Sequence, residues 1–353
     1  MAVFLERIRE SSGRIQGRIY TRSAIKASVK QNVSDTDGHT TTNGQFAGIA
    51  ARLAMDAASS QVMELFARIG VQAALLKGAS LIGWLYAENV APYSDVDLLI
   101  RPSDEPKAAE ALESLGFERT VDDTATPPAW QEHGSEWHRI EDGVPIDLHR
   151  RLVGIRMDPS EAWEVLAGDL ATMPIGGTEI PVLGSRARLL HVTLHAAQHG
   201  AGGGGRGRMH LERALEVFPA EAFGAAGALA AQLDATDAFA AGLRLVPAGA
   251  AMADELGLPT VGSVDAVLRA STPPPVALGF EQLAQARSLR ARTSLALGKL
   301  FPPRGFLVHW DPRAKDSRRR LWMARVRRPF WVLRSTPAGF RAWWRARRAV
   351  RRS

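Results

Sequence analysis

The chain of 353 residues contains no cysteine. That excludes disulfides, thiolate zinc sites and a cysteine nucleophile, and leaves compartment undecided. No stretch of about 18 uninterrupted apolar residues occurs, so a spanning helix is not expected. The run from Ala238 to Ala253 comes nearest, and Arg244 and Pro247 interrupt it. The opening residues MAVFLERIRESSGRI lack an apolar stretch of signal-peptide type. The cytoplasm is the default compartment. Acidic residues are scarce at the far end: residues 311–353 hold 15 Lys and Arg against 2 Asp, a balance of +13. The remaining 310 residues sum to −6 within a total of +7. A mildly acidic body with a basic tail points to a local docking element, whereas uniform basicity would point to nucleic acid.

What is present is the composition of a globular protein, 46% hydrophobic and 23% charged. Residues 1–45 are polar and turn-rich and read as a poorly ordered extension. From residue 46 to about 156 the patterning is mixed α/β. A helix over Gly48–Arg68 ends at Gly70, and residues 71–78 (VQAALLKG) read as a buried strand. Residues 79–88 suggest a short helix and 95–101 (DVDLLIR) a second strand. Ser103 is placed to cap a helix over 104–115, stopped by Gly116. FERTV (117–121) reads as a third strand. Residues 135–152 read as two strands joined by Asp142-Gly143, a hairpin signal. From 157 to 310 the pattern reads as helical throughout, and 311–353 as a basic, Trp-rich helical tail.

Asp95 and Asp97 are two apart at the mouth of an apolar strand. Residues i and i+2 share a side, about 7 Å apart at Cα. Carboxylates so placed raise each other's pKa unless a cation sits between them. The bland alternative is a solvent-exposed pair at a strand edge. Asp147, on a later strand, is either a third carboxylate of the same site or the partner of an arginine such as Arg101 or Arg150. His149 shares a strand face with Asp147. It is either a phosphate or acceptor contact or a structural histidine.

Three pieces stand together: LLKGAS (75–80) leading into a helix, SDVDLLIRP (94–102), and VPIDLHRRL (144–152). This arrangement resembles the nucleotidyltransferase superfamily that includes DNA polymerase beta, the CCA-adding enzymes and the small antitoxin-type nucleotidyltransferases. Together with GF, W-H and LLHVTLHAAQH it is similar to an uncharacterised bacterial nucleotidyltransferase family, whose members often sit among natural-product or polysaccharide biosynthesis genes. The resemblance spans roughly residues 60–335. It implies a mixed sheet with flanking helices followed by an α-helical domain that closes one side of a cleft. It implies transfer of a nucleoside monophosphate from an NTP, ATP by expectation, to an unidentified hydroxyl-type acceptor. Two Mg²⁺ ions would clamp the attacking and leaving oxygens, and hard Mg²⁺ suits carboxylate oxygens. Asp95 and Asp97 would bridge both ions and Asp147 would complete the catalytic one. Lys77, Gly78, Ser80 and His149 are the expected nucleotide contacts. Two departures stand out. Ala79 separates Gly78 from Ser80, where the superfamily usually has Gly-Ser or Gly-Gly adjacent. Sixteen residues also lie between Gly78 and Asp95.

His191, His195 and His199 recur at four-residue spacing. Adjacent pairs can share a metal, but the outer two lie about 12 Å apart along a helix, so one zinc cannot take all three. Packing with one or two histidines lining the cleft is the preferred reading. In the tail, arginines interleave with Trp322, Phe330, Trp331, Phe340, Trp343 and Trp344. A helix lying on an anionic membrane, a nucleic-acid contact, and docking on a partner or on the chain's own body all fit. The membrane or partner readings are favoured over nucleic acid. Two alternatives to a metabolite-directed enzyme follow: a catalytically inactive scaffold docked by its tail, and an RNA-directed nucleotidyltransferase.

Overall fold

The computed structural model describes residues 41–87, 93–119, 134–199, 205–271, 273–274, 276–286 and 288–352. The expected N-terminal extension lies outside the described residues up to residue 40. The chain divides into two compact units, residues 1–54 and 55–353. Of the first, residues from Thr41 onward form the start of helix α1 (Thr41–Ile69). Every residue of the candidate site lies in the second.

Alternation and apolar runs build a mixed seven-stranded sheet. In chain order its strands are β1 (Ala73–Leu75), β2 (Val96–Ile100), β3 (Phe117–Arg119), β4 (Gly134–Arg139), β5 (Pro145–His149), β6 (Leu170–Ile175) and β7 (Thr178–Leu183), arranged β3-β4-β5-β2-β1-β7-β6. β2 is buried at every residue, as expected for a central strand covered on both faces. It runs antiparallel to β1 and parallel to β5. β4 and β5 form the expected hairpin, with Gly143 at φ +73° in the turn, where a side chain would be strained. Asp142 supports that turn by accepting from Val144 N–H and from Arg139.

Three local readings change. Residues 79–88 do not form a helix: a single 3-10 turn, Gly78–Leu81, is followed by an isolated bridge between Ile82 and Tyr86, with residue 88 outside the described residues. Ser103 is not the cap of the next helix. It sits inside a 3-10 turn (Pro102–Asp104) that leads into α2 (Glu105–Ser114). The Asp104 carboxylate is instead drawn back to Gln72 N–H and Arg101. The segment after 156 is not helical throughout. Following α3 (Pro159–Ala167), the β6–β7 hairpin returns to the sheet, and β7 pairs in parallel with β1. The Gly176-Gly177 pair at its turn, both at positive φ, was the available signal.

The remaining helices are α4 (Ser185–His199), α5 (Arg206–Val217), α6 (Ala220–Gln232), α7 (Thr236–Leu243), α8 (Pro247–Glu255), α9 (Val264–Ala270), α10 (Ala277–Gln285), α11 (Leu289–Leu300), α12 (Arg304–Trp310) and α13 (Arg318–Arg352). α4 is central, packing against α5, α6, α7 and α9. Its Leu189, Leu190 and Leu194 share one apolar core with Leu76 just after β1, Leu99 of β2, and Phe223 and Phe239 of the helices. Sheet and helical half are therefore fused through a common core. α13 lies along α9–α12, burying Trp343 and Ala346. None of the helices among the described residues is long and apolar enough to cross a membrane.

Candidate active site

Register does most of the positioning. The parallel pairing of β2 with β5 sets Asp97 opposite Asp147, and Leu99 opposite His149. Cross-strand neighbours point to the same face, so Asp97, Asp147 and His149 converge. Along β5 the alternate residues Ile146 and Leu148 are buried on the other face. The register of this strand is thereby fixed by its apolar side, and a slip of one residue would turn both site residues away.

Asp97 is the buried centre. Its side chain is only 2% exposed, and its Oδ1 accepts from Lys77 Nζ at 2.9 Å and from His149 Nε2 at 2.9 Å. Burial would raise its pKa; the Lys77 ammonium and His149 outweigh that and hold the carboxyl well below the usual range. Burial works against the charge of Lys77 too, yet Asp97, Asp95 and Asp147 together raise its pKa. Burial and the adjacent Asp97 charge push the Asp147 carboxyl up to about 7. Asp95 is half-buried at the entry of β2, next to Ser94, whose hydroxyl lies 3.4 Å from its carboxylate.

The turn after β1 delivers Lys77. Gly78 has φ +66°, and a Cβ there would come within 3.0 Å of the Tyr93 ring. The positive φ favours glycine, and the ring crowds any side chain placed there. Tyr93 is tied in turn to Asp56, its hydroxyl donating to that carboxylate. Ser80 is placed differently from expectation. It is fully buried, and its hydroxyl donates to the Leu76 carbonyl at 3.0 Å. In this arrangement the hydroxyl is spent on holding the turn. Arg188 of α4, which sequence reasoning missed, completes that support. It is buried and donates to the Ser80 carbonyl at 2.9 Å and the Leu183 carbonyl at 2.7 Å, with its guanidinium over the Trp84 ring. An arginine inside an apolar helical pattern (SRARLLHV) was the signal that could have marked it.

The helical half also reaches the site. Arg206, at the start of α5, donates to Ser94 at 3.2 Å, so α5 is linked to the entry of β2. His191 is buried, its Nε2 has no hydrogen-bond partner among the described residues, and burial reinforced by Lys77 pushes its pKa down to about 3. It is neutral and close enough for Lys77, Asp97 and His149 to influence its protonation. The His195 ring lies tilted beside it, ring centres 6.1 Å apart. The side chain of His199 lies outside the described residues. His210, depressed to about 4 by burial and Lys77, pairs with the Tyr86 hydroxyl at 2.6 Å; sequence reasoning did not single out either residue.

Among the described residues, the one grouping of three or more metal-ligating side chains is Asp97, Asp147 and His149, with ligand atoms within 4.8 Å of one another. The α4 histidines are not part of it. Two carboxylates, one of them driven toward its protonated form by burial and by the other's charge, make a pair that a hard divalent cation would relieve. The donor chemistry fits such an ion.

One comparison with known proteins agrees with the family suggested by the motifs. The profile of a family described as uncharacterised nucleotidyltransferase matches residues 20–248. No curated protein matches the chain. Among solved structures, the chain is similar to the lincomycin-bound lincosamide antibiotic adenylyltransferase LnuA, at 15% identity and a TM-score of 0.31, over 44% of this chain and 94% of that one. It is also similar to an antigenic nucleotidyltransferase-like protein from Paracoccidioides brasiliensis, at 13% identity and a TM-score of 0.33, over 52% of this chain and 91% of that one. With the profile spanning well over half its length, the chain belongs to this uncharacterised nucleotidyltransferase family.

Proposed function

We propose that the protein moves a nucleoside monophosphate from an NTP, ATP in the first instance, to a hydroxyl-bearing acceptor in a Mg²⁺-dependent reaction. The observation that carries the reading is the register pair Asp97–Asp147 with Lys77 against it on a positive-φ glycine turn. In the transfer, the acceptor oxygen bonds to the α-phosphorus, the bond to the β-phosphate breaks, and pyrophosphate leaves. Asp97 and Asp147, with Asp95 at the strand entry, would hold Mg²⁺, which supplies neutralisation of charge on the phosphate oxygens.

The chain's own groups have separable tasks. Lys77 is a cation held against Asp97 by the turn, and its ammonium suits the triphosphate. Gly78 lets backbone approach the same phosphates. His149 steadies Asp97 through Nε2, the nitrogen that must carry the proton when it faces an ionised carboxylate. Asp147, opposite Asp97 in the strand register, is the carboxylate placed to orient the acceptor hydroxyl or take its proton. Arg206, linked through Ser94 to the β2 entry, places a fixed positive charge on the helical side of the site.

The test is label transfer from ATP carrying a labelled α-phosphate, with pyrophosphate release, and thermal shift by each NTP with and without Mg²⁺. A Mg²⁺-dependent shift that disappears in Asp95→Asn/Asp97→Asn supports the site. If no NTP shifts the wild type under any metal, the enzymatic reading fails and the inactive-scaffold alternative takes its place.

A further inference from the structure

The C-terminal helix carries a feature that the nucleotide site does not use. α13 contains 13 arginines and no acidic residue. It buries one face, Ala324, Arg328, Gly339, Trp343 and Ala346, against its neighbouring helices. On a different face it exposes Trp322, Val326, Phe330, Leu333, Phe340 and Trp344, with Trp322 64%, Phe330 67% and Leu333 62% exposed. At an ideal 100° per residue these six fall within an arc of about 80°, a stripe spanning about 33 Å of helix that contains Pro329 and Pro337. Arg334, Arg341, Arg345 and Arg352, all exposed, run along one edge of the stripe.

We propose that this stripe docks on the surface of a bilayer rich in anionic lipid, with α13 lying in the plane of the interface. The division of the helix surface supports this occupant. Large apolar side chains lined up over six turns are what the acyl boundary takes up, and tryptophans at both ends suit the headgroup level. The arginine edge supplies charge complementarity to anionic headgroups. Aliphatic Val326 and Leu333 in the middle of the stripe would gain nothing from phosphates or bases, which argues against nucleic acid. A contiguous apolar surface of this length on a folded chain marks an interaction site. The proposal is independent of the nucleotidyl-transfer reading.

The test uses the full chain in vesicle co-sedimentation, with neutral phosphatidylcholine vesicles and with the same lipid containing about 30% phosphatidylserine. Wild type should pellet at least about tenfold more strongly with the anionic vesicles, and less so as salt rises. Val326→Ser/Phe330→Ser/Leu333→Ser should weaken this about tenfold with an unchanged melting curve, since all three side chains are exposed. Arg334→Glu/Arg341→Glu should weaken binding to the anionic vesicles alone. Full retention of binding by the triple-serine variant would overturn the proposal. So would tighter binding to poly-uridylate than to vesicles, which would assign the tail to RNA. Absence of vesicle binding together with self-association lost in the triple variant would assign the stripe to a second copy of the chain.

Discussion

Replacing Asp147 by asparagine should stabilise the metal-free protein while removing its activity. The Asp147 carboxyl sits at about 7 against an ordinary value of 3.8, because it is largely buried and faces the Asp97 charge. A group whose pKa is raised on folding contributes stability below its unfolded value, and loses it as pH climbs to the folded one. Wild type should therefore lose stability between about pH 4 and pH 7 as the unfolded chain, but not the folded one, gives up this proton. That gap corresponds to about 4 kcal/mol at 1.36 kcal/mol per pH unit. The side chain keeps some contact with solvent, and screening brings the figure to about 2 kcal/mol. Asparagine is isosteric and never ionises. Urea melts in EDTA should show the Asp147→Asn variant level with wild type near pH 4 and ahead by about 2 kcal/mol from pH 7 to 8. Mg²⁺ should raise the wild-type midpoint at pH 8 and leave the variant unmoved. A variant less stable than wild type at pH 8, or a difference that does not change with pH, refutes the reasoning.

Other changes read out other parts of the site. Gly78→Ala adds a side chain at φ +66° and a clash with Tyr93. It should cost about 1–2 kcal/mol in a chemical melt and abolish NTP-induced stabilisation; an unchanged melt would show that the turn relaxes freely. Arg188→Met strands the Ser80 and Leu183 carbonyls. A loss of about 2 kcal/mol is expected, with KM for the NTP rising more than kcat falls, measured by steady-state kinetics. Lys77→Met should lower kcat/KM by about 100-fold, whereas an equal rate in the variant would place the triphosphate elsewhere. Chelation should stop label transfer and added Mg²⁺ should restore it, and activity persisting in EDTA would remove the metal from the scheme.

The apolar strand DVDLLIR, the Asp142-Gly143 turn and the alternation PIDLH were legible because each is a local pattern with a local physical cause. Asp97 and Asp147 were legible as candidates because a charge in an apolar strand needs a reason; Asp95, read with them, precedes β2, is half-buried and lies outside the grouping of Asp97, Asp147 and His149. The hairpin β6–β7 was not legible: Pro174 and Pro181 break the strand signature, and only pairing with β1 gives the hairpin a sheet to join. The Ser80 hydroxyl's donation to the Leu76 carbonyl was not legible because its neighbourhood, GAS after a strand, looks the same whether the hydroxyl faces a ligand or that carbonyl. Arg188 and His210 escaped notice because their partners are distant in sequence, 108 residues away for Ser80 and 124 for Tyr86.

By itself the sequence determined the residue types of the site, the strand periods that expose them, the acidic body and the arginine-rich end. These follow from short-range chemistry: side-chain alternation, turn preference and charge. Only the tertiary structure decided which residues meet. The β2–β5 register placed Asp97 beside Asp147, the Gly78 turn swung Lys77 onto Asp97, and burial of Trp343 and Ala346 chose which face of α13 was left to solvent. Each is a choice among alternatives that local pattern leaves equal. Long-range packing breaks the tie because one arrangement alone buries the apolar faces of sheet and helices together.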